Sequence, residues 1–145
     1  MAHFPQVIEL FASAERTTAV ADSAGTAATD LASAKRAVFE LDVTEMGGAA
    51  GDVLDVYVDA LAPDGTTWLN AIHFPQLAGN AAAAKYVAIL DPSNPGTSTI
   101  DVTADAAAGD VRPAVFGTQY RGRYTLVDAG AHSQSATFAL TGLLQ

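Results

Sequence analysis

The chain contains no cysteine, which excludes disulfides, thiolate metal sites and a cysteine nucleophile. Charge is also scarce: Asp, Glu, Lys and Arg make up 16% of the residues, against about 25% in ordinary soluble domains. The shortage falls on the basic side, with 7 Lys and Arg against 16 Asp and Glu and a net charge of −9. A chain this acidic is repelled by nucleic-acid phosphates and by anionic membranes. Arg121 and Arg123 are the only close basic pair in its second half. No apolar run approaches the roughly 20 residues needed to cross a bilayer as a helix. The opening Met-Ala-His-Phe-Pro-Gln lacks the basic start and apolar core of a secretion signal. These absences lead us to expect a soluble protein made without export, with neither nucleic acid nor membrane as partner.

Catalytic and metal-binding motifs are missing as well. Only three histidines occur, His3, His73 and His132, and none stands at the spacing of a zinc motif. They read as structural or solvent-facing side chains. No serine sits in a Gly-x-Ser-x-Gly elbow. The glycine-rich stretch Gly47-Gly48-Ala-Ala-Gly51 lacks the Lys-Ser/Thr of a phosphate loop. Asp52, Asp55 and Asp59 form one acidic group and Asp101, Asp105 and Asp110 another. Both can supply oxygen ligands to a cation, but neither has the spacing of an EF-hand loop, and both read first as solvated acids. The expectation is a non-enzyme with no catalytic residue, cofactor or metal.

What is present is alternation. The 145 residues suit one domain with one core. Half of them are hydrophobic, though many of these are alanine, which buries little area. Sparse charge over such a chain fits a surface partly covered by a partner; an alanine-rich coding bias is the plain alternative. Period-two patterning marks strands at Val7 to Ala14, Ala37 to Thr44, Val53 to Leu61, Thr66 to Phe74, Lys85 to Leu90, Thr97 to Thr103, Val115 to Val127 and Gln134 to Leu144. The alternation puts on one strand face Val7, Glu9 and Phe11; Phe39, Leu41 and Val43; Leu54, Val56, Val58 and Ala60; and Trp68, Ile72 and Phe74, with Asn70 between them; Ala136, Phe138 and Leu140 form the core face of the last strand. Asp55, Tyr57 and Asp59 fall on an outer face. Pro63-Asp64-Gly65 is a turn in which proline presets φ and glycine supplies a positive φ. Gly117 and Gly122 mark candidate bulges. Trp68 with Tyr57 could stack on a sugar, although a lone tryptophan in a sandwich reads first as core.

These elements predict an all-β protein, an antiparallel β-sandwich of jelly-roll type with about eight strands. An N-terminal arm covers 1–6, and a single domain covers 7–145. The segment 17–35, rich in Ala, Thr, Ser and Asp, is long for an unstructured loop and is read as ordered by a partner. His-Phe-Pro-Gln occurs at His3 and again at His73, with nothing matching around the two copies.

The ordered set Phe39-Glu-Leu-Asp-Val-Thr44, a glycine turn, Leu54-Asp-Val-Tyr-Val58, Pro63-Asp-Gly-Thr-Thr-Trp68, Arg123-Tyr124-Thr-Leu-Val127 and Ser135-Ala-Thr-Phe-Ala-Leu140 resembles small β-sandwich structural proteins of tailed bacteriophages. Members of that group carry a strand ending in Asp-Val-Thr and a Pro-Asp-Gly-Thr-Thr-Trp hairpin. The match is densest over 36–74, thinner over 118–142, and does not extend to 17–35 or 78–113. The resemblance implies a capsid decoration (cement) protein, made in the host cytoplasm and bound to the outer capsid surface of the virion. Its implied partner is the major capsid protein, with self-association as a trimer or dimer, and the arm residues His3, Phe4, Pro5 and Gln6 make contact. A neck or tail component is the neighbouring reading. A carbohydrate- or cell-surface-binding module is the alternative from another class.

Overall fold

The computed structural model describes residues 5–17, 34–94, 99–115, 117, 119–130 and 134–145. Eight strands follow one another: β1 (Gln6–Arg16), β2 (Ala37–Gly47), β3 (Val53–Leu61), β4 (Trp68–His73), β5 (Leu77–Ala78), β6 (Ala84–Leu90), β7 (Tyr120–Val127) and β8 (Ser135–Leu144). They form two antiparallel sheets. The first has the order β1-β8-β2-β6. In the second, β3 is central, with β7 along one side and β4 followed by β5 along the other. The chain changes sheet between β2 and β3 and again at every step from β5 to β8, the winding of a jelly-roll sandwich.

Apolar residues on every second position of β2, β3, β7 and β8 meet between the sheets. Phe39, Leu41, Val56, Val58, Ile72, Phe138 and Leu140 are all essentially inaccessible to solvent. Aromatic rings tie the layers together. Phe11 of β1 meets Tyr124 of β7 edge-on at 5.4 Å and Phe138 of β8 at 5.7 Å, and Phe39 lies 5.2 Å from Tyr120. Arg16 closes this end of the core, its guanidinium 4.2 Å over the Phe138 ring. Its terminal nitrogens donate to the carbonyls of Ala12, Ala14 and Phe138, which offsets the cost of partial burial.

Two strand phases differ from the sequence reading, and a bulge causes each. In β1 the register slips on either side of Phe11. Ile8, Leu10 and Phe11 therefore turn inward, while Val7 and Glu9 face solvent. In β4, Ala71 is the extra residue between the pairs Val58↔Ile72 and Asp59↔Asn70. Ile72 and Phe74 stay in the core, but Trp68 and Asn70 move to the outer face.

The expected strand at Thr97 to Thr103 does not form across its described part, 99–103. Asp101 accepts the backbone N–H and the hydroxyl of Thr103, and this local turn competes with strand pairing. The two-residue β5 takes its place in the count of eight. Gly122 is no bulge, since β7 pairs with β3 in unbroken register. A Cβ there would lie 2.6 Å from the Phe11 ring, so glycine lets the two sheets approach. Gly117 likewise sits against the backbone of Leu61. The Pro63-Asp64-Gly65 turn forms as read, with Gly65 at φ +73° and Asp64 Oδ1 accepting the N–H groups of Thr66 and Thr67. Those bonds and the Thr67 hydroxyl lower the exposed Asp64 carboxyl to about 2, the hydroxyl being the largest cause.

Candidate functional site

The two outer faces of the sandwich differ in kind. The outer face of the second sheet is covered by the segment 99–115, which leaves β6 and returns to β7. It is pinned along the free edge of β4: His73 N–H donates to Asp110 O, Arg112 N–H to Ala71 O, and Gly109 N–H to His73 O. Beneath it the alternating face of β3 presents Asp55, Tyr57 and Asp59, all of them buried. This corrects the reading of those acids as a solvated face. Each has a partner that sequence spacing does not show.

Asp59 is the hub. Its Oδ2 accepts Arg121 Nε at 3.0 Å and Arg123 Nε at 3.1 Å, and its Oδ1 accepts Asn70 Nδ2 at 3.1 Å. The Asn70 side-chain Oδ1 accepts the Ala106 N–H, which fastens the covering segment. Arg123 reaches on to Asp105, with Nη2 2.6 Å from Oδ1, and its guanidinium lies 4.0 Å over the Tyr57 ring. Burial acts to lower the pKa of Arg123, but the bonds to Asp105 and Asp59 outweigh it and hold the guanidinium more firmly charged than usual. Tyr57 stacks on His73 at 4.3 Å. Burial first, and then the Asp55 and Asp105 charges, push the Tyr57 phenol up.

His73 Nδ1 lies 2.8 Å from the Ala106 carbonyl oxygen, and Nε2 lies 2.8 Å from Asp55 Oδ1. Gln76 Nε2 donates to both Asp55 oxygens. His73, read from sequence as structural or exposed, is thus a clamp between β3 and the covering segment. No group of three or more His, Asp or Glu residues arranged for a metal occurs among the described residues.

At the β4–β7 end of this network a cleft of about 320 Å³ opens, lined by Asp59, Trp68, Thr103, Asp105, Arg121 and Arg123 among others. Trp68 is half-buried at its wall, not in the core. The Arg121 guanidinium lies 4.7 Å over its ring. Tyr57, the other aromatic considered for sugar stacking, is enclosed between His73 and Arg123 and has no free face.

By contrast, no segment among the described residues covers the outer face of the first sheet. Val7, Leu143, Val38 and Ile89 are cross-strand partners in sequence across β1, β8, β2 and β6. They form an apolar row over the full width of the sheet. Val7 is 71% and Ile89 42% exposed, and the neighbouring Val87 is 59% exposed. Beside the row, Lys85 bridges Glu40 and Asp42.

The arm residues fall partly outside the described structure. His3 and Phe4 lie outside the described residues, as do His132 and 18–33. Pro5 and Gln6 are exposed, and Gln6 is paired with Leu144 as the first residue of β1. Asp52 of the first acidic group is fully buried, its carboxylate accepting the N–H groups of Ala49 and Ala129, so it ties together the turns before β3 and after β7.

No family model matches the chain, and no curated protein matches it. Among solved structures it is similar to a chain of infectious bursal disease virus Gt strain, with 13% identity and a TM-score of 0.47. That match covers 96% of this chain and 32% of the other. A chain of the Gx strain of the same virus gives 12% identity and a TM-score of 0.46, covering 97% and 33%. The protein spans about a third of the length of those chains.

Proposed function

We propose that the protein is a non-catalytic virion component that binds the outside of a tailed-phage head and stabilises contacts between major capsid protein subunits. The observation that carries this reading is the apolar row Val7–Leu143–Val38–Ile89 across the four strands of the first sheet, exposed at its two ends and half-buried at Leu143 and Val38. A row of paired aliphatic side chains on a sheet face is costly to leave wet and gains from being covered by another protein. The motif resemblance over 36–74 supplies the class of partner. The acidic balance of the chain suits a position away from packaged DNA. An N-terminal arm leaving the edge strand β1 beside Val7 would extend the same contact to a neighbouring subunit by strand addition. Binding only the assembled shell, the protein stabilises that state by mass action.

Copy number and attachment test this reading. Gel densitometry of purified particles should find the protein in hundreds of copies relative to the major capsid protein, and Ile89→Glu should remove it from them. A count of about a dozen or fewer would place it in the neck or tail, and normal attachment of the Ile89→Glu protein would refute the docking face.

A further inference from the structure

We propose that the cleft between the covering segment and the β4–β3–β7 sheet is a binding site for a sugar acid, with Arg121 as the residue that takes its carboxylate. Two of the seven basic residues of this acidic chain, Arg121 and Arg123, line the cleft, and a third, Arg112, is bonded to the backbone of its wall. Their engagement differs. Arg123 spends Nε, Nη1 and Nη2 on Asp59 and Asp105. Arg112 stands behind the cleft wall rather than in its lining, its Nη1 donating to the backbone carbonyls of Ala104 and Asn70. Arg121 is bonded through Nε alone, and its two terminal nitrogens meet no hydrogen-bond acceptor among the described residues.

The Arg121 side chain is also fixed in position. Asp59 holds its inner edge, the Trp68 indole supports its plane, and 29% of the side chain remains accessible. A guanidinium held in this way offers two parallel N–H donors, the geometry that a carboxylate accepts bidentately. Little rotamer freedom remains to be lost on binding, so the interaction is preorganised.

The rest of the lining distinguishes among carboxylates. Around the Arg121 edge the cleft is rich in acceptors. The Asp105 side chain is 43% accessible, and the Thr103 hydroxyl donates to Asp101, leaving its lone pairs to accept. A plain carboxylic acid would face Asp105 with nothing to donate. A carboxylate carried on a ring of hydroxyls supplies both complements: the anion for Arg121, and O–H donors for Asp105 and Thr103. The volume of about 320 Å³ lies at the small end of ligand pockets, which run from about 300 to 1,000 Å³, and suits a single sugar ring. The site lies on the second sheet, opposite the apolar row, so it does not depend on the docking proposal.

Trp68 is the only tryptophan and touches Arg121, so its emission reports the site directly. The full protein would be titrated with glucuronate and with N-acetylneuraminate, using glucose and acetate as comparison ligands. At least one sugar acid should give a saturable change in emission, at least tenfold tighter than glucose or acetate. Arg121→Gln should weaken it at least tenfold while the far-ultraviolet spectrum stays native and the protein remains folded at the titration temperature, with a lower melting midpoint because Asp59 loses one of its two arginine partners. Should Arg121→Gln fail to fold, Thr103→Val, which changes an exposed side chain, should weaken the sugar acid about threefold and leave acetate unchanged. The proposal is overturned if neither sugar acid saturates, if acetate or glucose binds as tightly, or if folded Arg121→Gln or Thr103→Val protein binds like the parent.

Discussion

Changing Asp59 to asparagine would remove the charge of the carboxylate at the hub of the outer network while keeping its shape. The aspartate side chain is 3% exposed and accepts Nε of both Arg121 and Arg123. Asparagine keeps one acceptor oxygen and turns an N–H₂ group toward donors. Hydrogen bonds to charged groups contribute about 1.5–3 kcal/mol each, and two are lost. The arginines, 29% and 18% exposed, recover part of this from water. The expected cost is therefore about 2–4 kcal/mol, somewhat less than for breaking a fully buried pair. In urea unfolding, with a slope of about 1–3 kcal/mol per molar, this lowers the midpoint by about 1–2 M at constant slope. A cycle with Arg123→Met should give a larger coupling than one with Arg121→Met, because Arg123 also reaches Asp59 Oδ1 through Nη2. A midpoint that moves by less than about 0.3 M, or zero coupling to both arginines, would refute the network as a source of stability.

Four further outcomes follow from the geometry. Leu41→Ala, at a fully enclosed core position, should destabilise by about 2–5 kcal/mol in the same assay. Gly122→Ala should cost about 1–3 kcal/mol, because the added Cβ meets the Phe11 ring, which is wedged against Tyr124 and Phe138; Phe11→Leu in the same chain should recover most of the loss. The Asp64 carboxyl should titrate near 2 by NMR. Because its folded value is depressed, its contribution to stability is complete above the unfolded value of about 3.9 and is lost as pH falls toward 2, and Thr67→Val should move the midpoint back up. Deleting 2–6 should leave unfolding of the isolated domain within about 1 kcal/mol of the parent and reduce attachment to particles; a deletion that attaches normally would remove the arm from the contact.

The core was legible wherever alternation runs unbroken. Phe39, Leu41 and Val43 on β2, Leu54 to Ala60 on β3 and Ala136 to Leu140 on β8 all point inward as their spacing requires. The spacing fails at β1 and β4 because a bulge adds one residue and reverses the phase beyond it. Nothing local in Leu10-Phe11 or Ala71 announces that insertion. The buried acids escaped for a different reason. Asp59 pairs with arginines 62 and 64 residues further along, and a period-two run of Asp, Tyr and Asp is the same whether it faces water or a covering segment. The available signal was the second alternating set, Arg121 and Arg123, which matches Asp55 and Asp59 in charge and strand period. A pairing of β7 with β3 would have joined the two. The apolar row was beyond reach, since it consists of single residues from four strands aligned only by register.

The pairing of Gln6 with Leu144 makes the two ends of the domain neighbours, about 4.8 Å apart as adjacent strands are, with Gln145 O also receiving the N–H groups of Lys35 and Arg36. The sandwich is therefore nearly a closed ring in its connectivity. A short linker from 145 to 5 would join the ends, and the chain could be opened instead at the exposed Asp64-Gly65 turn, giving a permuted protein with the same sheets. Cargo joined directly at residue 5 or residue 145 would emerge beside Val7 and Leu143 and crowd the apolar row. Cargo carried at Asp64-Gly65 would leave the chain on the second sheet, so the turn between β3 and β4 is the place to attach a label or a displayed peptide without obstructing that face.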